Sequence, residues 1–279
     1  MRKCFCLVFA GLLLVFSCGG NSTNPAGEMT EGSLPDSTEA ADEDTLELLI
    51  TETPMPRAAD AMFDDFIFNF LANKRLQKER IVFPLRVTTN GQTEMMDKSR
   101  WKMEHLFMRQ GYYTLLFNDD EQMSHMKDTA VSEAVVERIQ LRKSLVTSFH
   151  FLRVRGAWML VEVLVDSLSA NVNAEFLTFY RRFASDSLFQ VKSVNETVMF
   201  VGPDPDDEFQ MMEGVITPDT WEAFAPTLPS KVLYNIVYGK PQATKNEKIF
   251  LMRGVANGLE QELRFRKVGG RWLLMKMST

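Results

Sequence analysis

The chain has 279 residues, 45% of them apolar, enough for real hydrophobic cores and too few for an integral membrane protein. Its formal net charge is −6, and the excess is confined to residues 19–58, where nine acids face Arg57 alone. Residues 59–279 balance 28 acids with 28 bases, which argues against a basic nucleic-acid-binding surface on the folded part.

Met1 to Cys18 reads as a secretion signal. Arg2 and Lys3 form a positive start, and Phe5 to Phe16 is an apolar run too short to span a bilayer. Leu13-Leu14-Val15-Phe16-Ser17-Cys18-Gly19 resembles the lipobox of bacterial lipoproteins. That resemblance implies cleavage before Cys18, acylation of Cys18 with palmitate-type chains, and anchoring in the bacterial cell envelope, facing the periplasm or the cell surface. Several acyl chains on one residue anchor stably where a single chain does not. Cys4, Cys6 and Cys18 are the three cysteines, so the chain after residue 18 has no disulfide, thiol nucleophile or cysteine metal ligand. Residues 19–58, rich in Gly, Ser, Thr, Pro and acids, read as a flexible acidic tether with a small apolar patch at Leu46 to Ile50.

From residue 59 the chain repeats itself. Phe63 to Leu85 is answered 113 positions later by Phe176 to Val198: Phe63, Phe66 and Phe70 meet Phe176, Phe179 and Phe183, and Gln77 meets Gln190. In the first half the phenylalanine spacing predicts a helix from Phe63 to about Lys74, then a strand at Ile81–Val87 with Pro84 at an edge or bulge. Asn90-Gly91 predicts a tight turn, Lys98–Met108 around Trp101 a short helix, and Tyr112–Phe117 a strand. Three β-rich runs, Val135–Arg142, Leu145–Arg155 and Trp158–Asp166, predict an antiparallel meander. After a hinge at Ser167–Asn173 the order recurs. A helix is expected at Phe176–Phe183, a strand at Val191–Val201, a loop at Asp204–Asp207 and a short helix from Pro218. Tyr234–Tyr238 and the runs Lys248–Val255, Leu259–Val268 and Arg271–Met277 close the second half.

The expected fold is therefore α+β: two tandem repeats, 59–168 and 169–279, each a helix packed on a curved antiparallel sheet. The second half carries a more specific signature. Phe179-x-x-x-Phe183-x-x-Asp186-x-x-Phe189-Gln190, Leu228-Pro229, Tyr238-Gly239, Arg253-Gly254-x-x-Asn257-Gly258-Leu259-Glu260 and Gly270-x-Trp272 resemble an uncharacterised bacterial lipoprotein family, domain-of-unknown-function family 4348. The resemblance covers 174–279 well and 59–166 through the weaker repeat. It implies a nuclear-transport-factor-2-like (cystatin-like) cone and carries over no catalytic residue.

Large aromatics kept in both halves are first of all core. Gln77 and Gln190 read as buried caps, with pocket lining the sharper alternative. Tyr234, Tyr238, Arg253 and Asn257 complete the candidate pocket with Gln190, although Asn257-Gly258 is first a turn and Arg253 first a strand-face charge. His105, His125 and His150 lack metal-ligand spacing, and no catalytic elbow, P-loop or dinucleotide fingerprint is present, so neither metal nor cofactor is expected. The acid runs Asp119–Glu121 and Asp204–Glu208 read as solvated loops. The leading expectation is a non-enzymatic envelope module binding a small ligand, a glycan or an envelope protein, attached to the membrane by its N-terminal lipid. The alternatives are an enzyme of isomerase, dehydratase or hydrolase type in the second-half pocket, and a structural envelope component.

Overall fold

The structure, a computed structural model, describes residues 60–204 and 207–279. The expected signal and lipidation site at residues 1–18, Cys18 included, and the expected tether at 19–58 lie outside the described residues.

Helix α1 (Phe63–Ala72) buries Phe63, Phe66, Ile67, Phe70 and Leu71, the i, i+3, i+4, i+7 stripe seen in the sequence, and places Asp64 and Asp65 in its first turn, where they complement the helix dipole. It ends earlier than the spacing predicts. Asn73 turns to an extended conformation, and its side chain accepts a bond from Leu76 N (2.9 Å), starting a second helix, α2 (Lys74–Glu79). Strand β1 (Ile81–Thr89) follows, with the cis Phe83-Pro84 bond inside the register shift between Ile81 and Arg86. Asn90 and Gly91 both take positive φ (48° and 80°), as a two-residue hairpin turn requires, and lead into β2 (Gln92–Met96). Strands β3 (Tyr112–Phe117), β4 (Glu133–Gln140), β5 (Leu145–Val154) and β6 (Ala157–Ser167) complete the first half, with helix α3 (Asp120–Ser124) after β3.

Helix α4 (Ala174–Phe183) buries Phe176, Leu177, Tyr180 and Phe183; Asp186 then caps α5 (Ser187–Lys192) through Phe189 N (2.9 Å), the role Asn73 has in the first half. Next come β7 (Val194–Asp204), β8 (Asp207–Ile216), α6 (Trp221–Phe224), β9 (Val232–Tyr238), β10 (Glu247–Gly254), β11 (Glu260–Val268) and β12 (Arg271–Ser278).

All twelve strands form one sheet in the order β2-β1-β6-β5-β4-β9-β3-β10-β11-β12-β7-β8. The order reads the same backwards when each strand is exchanged with the one whose number differs by six. Its middle is crossed over: β9 pairs with β4 of the first half, β3 pairs with β10 of the second, and β3 and β9 meet as a parallel pair at Thr114 and Asn235. The meanders β4–β5–β6 and β10–β11–β12 are antiparallel as expected; the purely antiparallel sheet is not what forms. β1 joins β6, and β7 joins β12, in parallel, each pair connected through the intervening strands of its half and not by a tight turn.

Alternate residues of the central strands serve two cores. Ala134 and Val136 of β4, Tyr113, Leu115 and Phe117 of β3, and Ile249 and Leu251 of β10 pack with α1. Ile139 of β4, Leu116 of β3, and Phe250 and Met252 of β10 pack with α4. Strand side chains alternate faces, so the two helices lie on opposite sides of the sheet at its centre. This explains the largely apolar runs of β3 and β9, interrupted only by Thr114 and Asn235, since strands covered on both faces need no polar side. The aromatic contacts match as well. Phe63 lies 5.4 Å from Phe151 and 5.0 Å from Trp158, and Phe176 lies 5.4 Å from Phe265 and 5.3 Å from Trp272.

Two expectations fail locally. Lys98–Met108 is not a helix; only Leu106–Arg109 winds, as a 3-10 turn. The backbone around Glu104 is satisfied by the buried Gln77 side chain, whose Oε1 accepts from Glu104 N (3.1 Å) and whose Nε2 donates to Glu104 O (2.6 Å). The acids from Asp204 onward flank a long hairpin instead of forming a free loop, and β8 has no counterpart in the sequence reading.

The stretch joining the halves is fastened from below. Glu137 of β4, buried in the sheet centre, accepts from Asn171 Nδ2 (2.6 Å) and Asn235 Nδ2 (2.8 Å), and the buried Lys248 ammonium donates to Asn173 Oδ1.

Candidate functional site

The ends of β3 and β10 carry different chemistry on their two faces. Tyr113 pairs with Arg253 across the ladder, and their neighbours Tyr112 and Met252 point the other way.

On the α1 face, the first turn of that helix brings Asp64 against the end of β9. The buried Tyr238 hydroxyl donates to Asp64 Oδ1. Burial holds the Asp64 carboxyl above the usual carboxylate range, with the Tyr238 bond and the Arg253 charge pulling the other way. Burial, and then the Asp64 charge, raise the Tyr113 phenol to about 12. Arg253 faces this group while pairing with Glu260 at 2.7 Å and lying 3.9 Å from Met126 Sδ. A desolvated carboxyl, two phenols and one guanidinium converge here from α1, β3, β9 and β10. Such a set can hold or donate a proton, or bind a polar ligand.

On the opposite face is an open groove of about 410 Å³ lined by Tyr112, Thr227, Leu228, Pro229, Met252, Leu259 and Gln261, with Pro226 at its rim. Its size suits a small ligand, and its lining is mainly apolar with a few polar groups. The Tyr180 hydroxyl of α4 donates to Pro229 O (3.1 Å) and fixes the Leu228-Pro229 wall to the core. The Arg253-Gly254-x-x-Asn257-Gly258 signature is the geometry of the turn beside it. Gly254 N donates to Leu259 O (2.7 Å), and a Cβ on Gly254 would lie 1.6 Å from Asn257 Oδ1, so only glycine fits.

The sequence candidates separate accordingly. Tyr238 and Arg253 come together at Asp64, with Asn257 in the adjoining turn, where its Oδ1 accepts from Leu259 N (3.2 Å). Tyr234, four residues before Tyr238 on the same strand, faces Arg138 and Glu104 instead. Gln190 sits at the α5–α6 junction, accepting from Trp221 Nε1 (3.2 Å), as Gln77 accepts from Trp101 Nε1 (3.1 Å) in the first half. Sequence reasoning missed Asp64, Tyr113 and Tyr112. Asp64 looks like an ordinary acid in a first helical turn, and its partner lies 174 residues away. Among the described residues no group of three or more His, Cys, Asp or Glu is disposed to hold a metal ion.

The model of the domain-of-unknown-function family DUF4348 matches residues 42–279, spanning both halves and beginning inside the segment expected to be tether. The chain belongs to this family. A search of curated proteins finds no match. Among solved structures, an NTF2-like protein from Bacteroides fragilis is 37% identical; the match covers 81% of this chain and 98% of that one, with a TM-score of 0.73. The DUF4348 chain thus has an NTF2-like fold, and the groove and the Asp64 cluster are features of a DUF4348 domain whose two faces meet at β3 and β10.

Proposed function

We propose that this DUF4348 chain is a lipid-anchored binding module of the cell envelope that takes a small, mainly apolar ligand into the groove beside Leu228-Pro229. The observation that carries the reading is the groove itself: an open cavity of about 410 Å³, apolar in the main, with Tyr112 and Gln261 available to orient a ligand. Anchoring is supported by the charged start, short apolar run and Ser17-Cys18 of the leading segment. The division into 59–168 and 169–279 enters as duplicated halves that exchanged their central strands, supported by the self-matching strand order.

The test uses the fluorescent amphiphile 8-anilinonaphthalene-1-sulfonate. The native chain should bind it with an emission increase that Leu259→Asp, at an exposed residue of the groove wall, abolishes, while Val268→Lys on the exposed end of β11 leaves it unchanged. Equal binding by native protein and Leu259→Asp would contradict the groove. For anchoring, Cys18→Ala should move the protein from the membrane to the soluble fraction.

One observation favours a second reading, an enzyme of proton-transfer type: the Asp64 carboxyl held above its usual range and touched by Tyr238. Titration of Asp64 by carbon-detected NMR, showing an ordinary carboxylate, would remove its basis.

A further inference from the structure

Among the described residues the outer hairpin of the second half is a long sheet edge guarded by acids, Pro203 and a register irregularity at Pro203/Asp204, and by no lysine. Among the described residues β8 is the last strand of the sheet, and it runs from Asp207 to Ile216, ten residues against five in β2 at the other end. Edge strands are commonly kept short or studded with lysine to prevent pairing with other chains. Here no Lys or Arg occurs between Val194 and Ile216, while six acids do: Glu196, Asp204, Asp206, Asp207, Glu208 and Glu213. The register Met199↔Val215, Val201↔Glu213 and Pro203↔Met211 puts these residues on one face. Met199, Met211 and Val215 are 53%, 58% and 64% exposed there, while Val198 and Ile216 on the other face are buried in the α4 core. Beyond Met199 the face changes character: Met199 pairs with Lys276 of β12, and the cavity of about 260 Å³ they share over β10 and β11 is lined by charges of both signs, so the apolar strip is confined to the β7–β8 hairpin.

We propose that the β8 edge is a docking strand for an extended segment of a partner protein, apolar at alternate positions and carrying lysine or arginine between or beside them. The outer backbone groups of β8 supply the hydrogen bonds of an added strand, and side chains at alternate positions supply selectivity. Met211 and Met199 are adaptable apolar contacts for the partner's apolar side chains. The acids of the hairpin, with no base among them, set the sign of the partner's charge. A second copy of this chain fits the edge poorly, because pairing two β8 strands brings together two edges that each carry Asp207, Glu208 and Glu213 and no base. An anionic lipid surface fits poorly for the same reason. The inference stands apart from the Leu228-Pro229 groove, which is on other strands, and neither depends on the other.

The experiment uses the full chain and a short synthetic peptide in which lysine alternates with valine and threonine, with a glutamate-for-lysine peptide as control. Calorimetry should show binding of the lysine peptide that weakens steeply with salt, and none of the control. Hydrogen exchange should slow at Gln210–Val215 amides. Met211→Lys, a change at an exposed side chain that spares the core, should weaken binding by about tenfold or more with an unchanged melting temperature. Binding unaffected by Met211→Lys, or protection appearing on strands other than β8, would overturn the proposal. So would slow exchange in the free monomer at the outward-facing β8 amides, those not bonded to β7, which would mean that the chain covers its own edge. A concentration-dependent dimer that protects β8 would overturn it in favour of a second copy.

Discussion

At the residue scale Asp64 and Lys248, two ionisable groups shifted by desolvation, give opposite pH signatures. Asp64 has a folded-state pKa above its unfolded value of 3.8. The folded state therefore binds more protons than the unfolded one between those values, and stability falls as pH rises through that window. Asp64→Asn keeps an oxygen acceptor for Tyr238 and removes the charge, so urea midpoints of the variant should lack this decline. Tyr238→Phe removes a bond that lowers the Asp64 pKa; it should raise that pKa further and destabilise the fold by about 1–3 kcal/mol, read by denaturant titration. Lys248 behaves in the other sense. Burial depresses it to about 8 from 10.5, despite the nearby Glu137 charge. Between those values the unfolded state binds more protons, so the burden on folding is full below pH 8 and lifts as pH rises to 10.5. Lys248→Met should abolish that rise in stability, measured as the difference between variant and native urea midpoints. None of these partnerships was legible beforehand, because Asp64 and Tyr238, or Lys248 and Asn173, are joined only by folding.

At the element scale the two long helices were legible in kind: α4 ends at Phe183 as expected, and α1 stops at Ala72, short of the expected Lys74. The phenylalanine stripe marks α1 and α4 because burial of one helical face needs that spacing. What stops α1 is a single side chain, Asn73, reaching forward to Leu76 N, and composition does not announce it. Gln77 and Gln190 illustrate how one sequence match yields unequal energetics. Both accept an indole N–H, but Gln77 is fully buried and also holds Glu104, whereas Gln190 is half-buried and is bonded to Trp221. Gln77→Leu should cost about 2–4 kcal/mol, since several buried groups lose partners together, and Gln190→Leu about 1 kcal/mol or less. Chemical denaturation of both variants checks the ranking. The reverse order would mean that the 101–104 segment is held by contacts other than Gln77. Strand β8 escaped notice because its acids resemble a loop and its pattern lacks a buried face on one side.

At the scale of the whole molecule the exchange of β3 and β9 makes each half depend on the other. Neither half closes its own sheet, and Leu115 and Ile236 contribute to the core around α1 from opposite ends of the chain. The described residues lie within one compact unit, Asp42–Thr279. Calorimetry should therefore give a single cooperative unfolding transition. A fragment ending at residue 170 should fail to show one, and two separate transitions would count against the interlocking.

By itself the sequence determined the helix faces, the two meanders and the placement of the tightest turns. Those depend on periodicity and on backbone conformations that few residues tolerate. Only the tertiary structure decided which strand lies beside which, and hence what the candidate site is. Pairing β9 with β4 and β3 with β10 sets Tyr113 and Arg253 on one face with Asp64, and Tyr112 and Met252 on the other above the groove. These central strand neighbours are chosen by contacts between residues 92 to 142 positions apart, and local pattern carries no record of that choice.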